Sequence, residues 1–197
     1  MTGRAAVLLG QDGVSRCSWA GEDPEYQRYH DEEWGRPLHG DRPLYEKLTL
    51  EGFQAGLSWI TILRRRPTFR TAFHDFDFER IAEYDEADVE RLMADPGIIR
   101  NRAKVLAAIS NARVTRELVR SEPGALDRLL WGFAPAARGR VLTSWSEVPA
   151  ETPESKTASR ELKRLGYRFV GPTTVYALMQ SSGMVDDHLA GCWRAEA

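Results

Sequence analysis

Two cysteines stand near opposite ends of the chain, and each has a histidine close by: Cys17 with His30, and His188 with Cys192. In HLAGC the second pair is spaced i and i+4, close enough to grip one ion from a helix or from a tight loop. Two thiolates and two imidazoles suit a borderline-soft, tetrahedral cation such as zinc. Four protein ligands would leave no place for an activated water, so such a zinc would be structural and would clip residues 17–30 to residues 188–192. That disfavours a zinc hydrolase. The gap from Cys17 to His30 is not a zinc-finger spacing. Two buried thiols are the plain alternative, and a disulfide is a further one that a reducing compartment opposes.

A second chemical feature lies in LEGFQAGLSW, residues 50–59. On a helix begun a little earlier, Leu44, Leu48, Glu51 and Ala55 share one face, which places Glu51 on the stripe expected to meet the core. A buried carboxylate is costly unless something pairs with it. Trp19, Tyr26, Tyr29 and Trp34 precede it in a loop-rich stretch, and Trp59 follows. Loop-borne rings make good pocket walls, and they stack on nucleobases at about 1–3 kcal/mol per base. A cationic base gains cation–π attraction as well and would be the partner that Glu51 lacks. An alkylated, positively charged adenine meets these requirements.

The elements that must hold these groups read as helices. At 197 residues, 42% hydrophobic and 28% charged, the chain suits one domain with a substantial core. Helices are expected over 42–54, from a Ser58 cap to Pro67, over 85–93, over 102–119, from the Thr152 cap to Gly166, and from Thr173 or Thr174 to 182. No strand period stands out, so the fold class expected is all-α. Residues 1–15 read as a loose, flexible tail before a single domain over 16–197. No run of about 18 apolar residues predicts a membrane span, and MTGRAAVLLGQDG is too weak for a signal peptide, which leaves the cytoplasm as the expectation.

The net charge of −2 makes no global case for nucleic acid, but local basic clusters exist at Arg64-Arg65-Arg66, at Arg100, Arg102 and Lys104, and over 160–168. Residues 84–113 read as two amphipathic helices around the turn DPGII. Gly97 is expected to take a positive φ and to turn backbone N–H groups outward at the next helix, making a sequence-independent phosphate site beside Arg100, Arg102 and Lys104. Ile98 and Ile99 would pack the turn back on both helices. A plain αα-hairpin is the simpler alternative.

The stretches RCSWAGEDPEYQRYHDEEWG, LEGFQAGLSWITIL, DPGIIRNRAKVLAAISNA and GYRFVGPTTVYALMQSSGMVDDH, with the GC at 191–192, resemble the 3-methyladenine DNA glycosylase I family over residues 16–193. That family is a compact branch of the helix-hairpin-helix DNA glycosylases. The resemblance implies a structural zinc on Cys17, His30, His188 and Cys192, no organic cofactor, and a base pocket of Trp19, Tyr26, Tyr29 and Trp59. It places the base-contacting, catalytic carboxylate on Glu51. Double-stranded alkylated DNA would be the substrate and free 3-methyladenine the product, released by a monomer with no membrane partner. Gly97, Ile98, Arg100, Arg102 and Lys104 would meet the phosphates, and Gly56 with Leu57 would press into the gap left by the flipped nucleotide. Residues 113–122 hold no Asp, unlike many members of the wider superfamily. Lys47, Lys104, Lys156 and Lys163 all read as helix surface, which argues for a monofunctional enzyme without a Schiff-base lysine. Phe53 departs from relatives that carry glutamine there. The rival reading is a zinc-stabilised helical module that binds DNA or an alkylated base without cutting.

Overall fold

The computed structural model describes residues 5–136 and 140–195. A short antiparallel hairpin opens it, β1 (Val7–Leu9) on β2 (Ser15–Cys17), with Val7 opposite Cys17 and Leu9 opposite Ser15. The expectation of an unstructured segment before residue 16 is therefore corrected for residues 7–15, and the fold is mostly rather than wholly helical. A three-residue strand is too short to show a period of two, which is why alternation did not reveal it. Residues 1–4 lie outside the described residues.

Nine α-helices follow among the described residues: α1 (Pro24–Glu32), α2 (Asp41–Gln54), α3 (Trp59–Ala72), α4 (Phe78–Ala82), α5 (Glu86–Ala94), α6 (Arg102–Ser121), α7 (Ala125–Trp131), α8 (Pro153–Arg164) and α9 (Pro172–Ser181). Their starts obey capping chemistry. The Asp23 carboxylate accepts from the N–H groups of Glu25 and Tyr26, Asp85 and Asp88 form a capping box, and Thr152 and Ser155 form another. None of the helices is long and apolar enough to cross a membrane.

Pro67 does not close α3. The helix runs through it to Ala72, because Phe69, Ala72 and the following Phe73 are buried and hold the chain in helical register at the cost of one backbone bond. The expectation for α2 also needs amendment. Ala55 lies past its end and is exposed, while Leu44 through Phe53 are buried apart from Glu46. A helix buried nearly all round sits inside the molecule rather than on its skin. α2 packs against α3, α6, α7 and α9, so Glu51 is enclosed whichever face it occupies. The helix-hairpin-helix is α5, the turn 95–101, and α6.

Candidate active site and metal cluster

A cavity of about 330 Å³ opens beside the C-terminal half of α2. Trp19, Tyr26, Tyr29 and Trp59, the four rings picked out in the sequence, all line it together with Glu51. The rings pack on one another: Trp19 lies 4.9 Å from Tyr26, and Tyr29 lies 5.5 Å from Trp59, centroid to centroid. Trp19 lies two residues after Cys17, and Tyr29 immediately precedes His30, so the Cys/His cluster and the pocket share their walls. Trp59 Nε1 is buried with no hydrogen-bond partner among the described residues, leaving a donor in the wall unanswered.

Sequence reasoning missed part of this lining. Trp34, named in the sequence beside the other rings, also lines it, and Gln54 from the end of α2, Thr173, Tyr176, Ala177, Gln180 and Ser181 from α9, and Trp145 with residues 148–150 complete it. Trp145 was findable as a loop-borne ring in the long irregular segment. Its indole N–H donates to Ser18 Oγ at 2.9 Å, which fixes that segment over the cavity.

Glu51 is 3% exposed, and burial pushes its carboxyl up to about 7 despite two opposing influences, the positive charge of Lys47 and a hydrogen bond from Ser181. The Ser181 hydroxyl donates to Glu51 Oε1 at 2.9 Å. Glu51 thus has protein neighbours that the sequence did not reveal. Lys47, expected on the surface, is buried one turn earlier on α2, with Nζ 5.2 Å from the Tyr29 ring centroid and 5.6 Å from that of Trp59. Burial of Tyr26 and the nearby Glu51 charge together push the Tyr26 phenol up to about 12.

The residues expected at DNA divide in two. Gly56, with φ +85, and Leu57, 42% exposed, form a projecting turn between α2 and α3. Gly97 does not take a positive φ. It is glycine because a Cβ would meet Asp95 Oδ1 and Thr68 Cβ at 3.0 Å, and its N–H is bonded to Asp95 Oδ1 at 2.7 Å. The turn is lashed to α3, since Thr68 Oγ1 donates to the Gly97 carbonyl and Arg65 to the Pro96 carbonyl, both at 2.7 Å. Ile98 is buried as expected, and Arg100 is exposed. Arg102 instead pairs with Glu86 and with Glu90, the latter at 2.7 Å. Lys104 is neither surface nor free for phosphate. Its ammonium donates to the carbonyls of Phe53 at 2.8 Å and Ala55 at 2.6 Å, capping the last turn of α2. Arg64 and Arg66 are also committed, to Asp23 and Glu33.

Cys17, His30, His188 and Cys192 converge as expected, all buried, with donor atoms within 4.8 Å of one another. Cys17 Sγ lies 3.8 Å from His188 Nδ1, and Cys192 Sγ lies 3.4 Å from His30 Nε2. A tetrahedral ion with bonds of about 2.0–2.3 Å has donors roughly 3.3–3.8 Å apart; these two pairs fall in that range, and the whole set closes to within 4.8 Å. The other nitrogen of His30 faces Asp31 Oδ1 at 2.8 Å, the carboxylate that orients a metal-binding imidazole. Asp31 is itself held by Arg16 and by Trp193 Nε1, drawing β2, α1 and the C-terminal segment together. The two sulfurs share one proton: Cys192 and burial push the Cys17 thiol up, while hydrogen bonds from Cys17 and His30 hold Cys192 down to about 3, so that it is the thiolate of the pair. A cation between them would let both be thiolates.

A helix-hairpin-helix beside an aromatic cavity with a buried carboxylate has the parts of a protein that holds a nucleobase out of its stack. The chain belongs to the methyladenine glycosylase family, whose sequence profile matches residues 19–195. It is 43% identical over 180 residues to DNA-3-methyladenine glycosylase 1 of Escherichia coli (strain K12), covering 91% of this chain and 96% of that one. Among solved structures it is similar to a crystal structure of 3-methyladenine DNA glycosylase I at TM-score 0.88 and 43% identity, covering 92% of this chain and all of that one. It is similar also to a single-residue variant of a 3-methyladenine DNA glycosylase I in complex with 3-methyladenine, at TM-score 0.85 and 31% identity, covering 92% of this chain and 98% of that one.

Proposed function

We propose that this chain removes 3-methyladenine from double-stranded DNA by hydrolysing the N-glycosidic bond and leaves an abasic site. The observation that carries the reading is the buried Glu51 in a ring-walled cavity of about 330 Å³, a volume suited to one nucleobase. Flipping the nucleotide costs a few kcal/mol, and less for a damaged base that stacks or pairs poorly. Trp19, Tyr26, Tyr29 and Trp59 stack on the base and attract its positive charge. Glu51 accepts from its edge, and the incoming cation favours the carboxylate form of a group poised near neutrality. Water then forms the new bond to C1′ as the N-glycosidic bond breaks, the cationic base departs neutral with the bonding electrons, and the water's extra proton passes to solvent to leave the C1′ hydroxyl.

Residues 16–197 act as one domain in this reading, monomeric and cytoplasmic. Leu57, on the Gly56 turn, fills the gap in the duplex. The backbone N–H of Ile98, with Arg100, anchors a phosphate, while Gly97, its own N–H bonded to Asp95, shapes the turn and Lys104 acts indirectly by holding the root of the Leu57 turn. Cys17, His30, His188 and Cys192 would hold a zinc, which would supply no chemistry to the reaction and would tie the hairpin and α1 to the C-terminal segment behind the pocket. Lys47 lies behind the rings rather than in the cavity lining, which supports a monofunctional enzyme. The test is incubation with methylated duplex DNA and chromatography of the released bases. Free 3-methyladenine, with 7-methylguanine left in place and no borohydride-trapped adduct, is the expected result; DNA binding without base release would make the protein a reader instead.

A further inference from the structure

Behind the Tyr29 and Trp59 walls lies a second cavity of about 290 Å³, lined by Lys47, Glu33, Glu46, Arg66, Arg70 and Ser181 among others. Two of its carboxylates are already answered: Glu33 takes two bonds from Arg66, at 2.5 and 2.6 Å, and Glu46 takes one from Arg70 at 2.8 Å. Lys47 is different. It is 7% exposed, lines this cavity and not the base cavity, and forms no ion pair among the described residues. Its ammonium is held on the Tyr29 and Trp59 rings by cation–π contacts. On α2 it stands at i to Glu51 at i+4, so the two buried side chains share a face. Ser181 touches both compartments, since it lines the Lys47 cavity and its hydroxyl binds Glu51.

We infer that Lys47 is a positioning residue for the base-excision reaction, a fixed cation behind the aromatic walls that keeps the buried Glu51 a carboxylate and thereby sets the cavity's preference for a positively charged base. The physical case is one of neighbours. Glu51 faces Lys47 on its own helix, Tyr26 and Tyr29 from α1, and Ser181 from α9, and Lys47 is the cation that opposes its neutralisation. Lys47 in turn faces Glu46 and Glu51 on α2, Tyr29 and Glu33 from α1 and its end, and Arg66 from α3. Burial holds the Lys47 ammonium below its ordinary range, and Glu51 and Glu33 hold it up. An apolar residue at 47 would leave Glu51 with only the Ser181 hydroxyl against full desolvation.

This inference rests on the glycosylase reading, but its test need not. Glutamate carboxyl ¹³C NMR on the full chain, with the Glu51 signal assigned by Glu51→Gln, reads the ionisation directly. In Lys47→Met the Glu51 midpoint is expected to rise by roughly one pH unit or more, and in Lys47→Arg to stay near wild type. The acid limb of the excision profile on methylated duplex should move the same way, for about a tenfold loss at a pH on that limb. A folded Lys47→Met with an unmoved Glu51 midpoint and an unmoved limb overturns the inference. Should Lys47→Met not fold, Lys47→Gln carries the same two expectations. Failure of folded wild type to release any base defeats the glycosylase reading instead, and leaves the carboxyl titration to judge the coupling on its own.

Discussion

Ser181 reaches from the last turn of α9 to Glu51 on α2, its hydroxyl donating to Oε1 at 2.9 Å. This is the one direct hydrogen bond from a side chain that Glu51 receives among the described residues, and it joins the two helices that flank the cavity. Removing it takes away one of two influences that hold the Glu51 carboxyl down. Ser181→Ala should raise the midpoint for ionisation by roughly one unit and lower excision at neutral pH by about two- to tenfold, with little change above pH 8. A pH–rate profile checks it.

The same buried carboxyl carries a stability signature. Its folded value, about 7, lies above the ordinary 4.5, so between those values the native state binds more protons than the unfolded chain. Stability from this group is therefore present below about pH 4.5 and is lost as pH rises through 7. Glu51→Gln should be more stable than wild type at pH 8, by up to about 3 kcal/mol, and nearly equal to it near pH 4.5. Denaturant midpoints for both proteins across that range measure the difference.

Lys104 anchors the turn that carries Leu57. Lys104→Met would leave the carbonyls of Phe53 and Ala55 without their ammonium, costing about 2–4 kcal/mol. Affinity for duplex DNA should fall while affinity for free 3-methyladenine stays within about threefold, since the cavity walls do not include Lys104. Equal losses for both ligands would contradict that division.

Elemental analysis of the purified protein should find one zinc per chain. His188→Ala should lose it and drop the unfolding free energy by roughly 3 kcal/mol or more, because binding at a closed site is folding energy. Below the melting temperature the zinc-free variant should still release base, at a reduced rate. Complete loss of chemistry in a folded zinc-free protein would argue that the ion does more than clip.

Much of this site was legible because its residues carry their chemistry in their type. Cysteine with histidine, and tryptophan and tyrosine around a carboxylate, declare a cluster and a pocket before any fold is known. The Thr152 cap placed α8, and helical periodicity placed α6 and the start of α5 equally well. What stayed hidden depends on tertiary packing. Lys47 and Lys104 look like any helix-surface lysine, and only the burial of α2 on nearly every side puts their ammonium groups inside. Gly97 reads as a positive-φ turn, but its lack of a side chain answers the approach of Thr68 from a distant helix. Pro67 breaks most helices and is overruled here by the buried Phe69 and Ala72 beyond it. Ser181 could not be paired with Glu51 without knowing that α9 lies along α2.

The most direct test is single-turnover excision from a duplex bearing one 3-methyladenine, comparing wild type with Glu51→Gln. The account predicts free 3-methyladenine from wild type, and from the folded variant a rate reduced at least about tenfold, as expected when a charge-assisted contact to the base is lost. Equal rates for the two proteins would show that the buried carboxylate is not what the pocket uses to recognise its base.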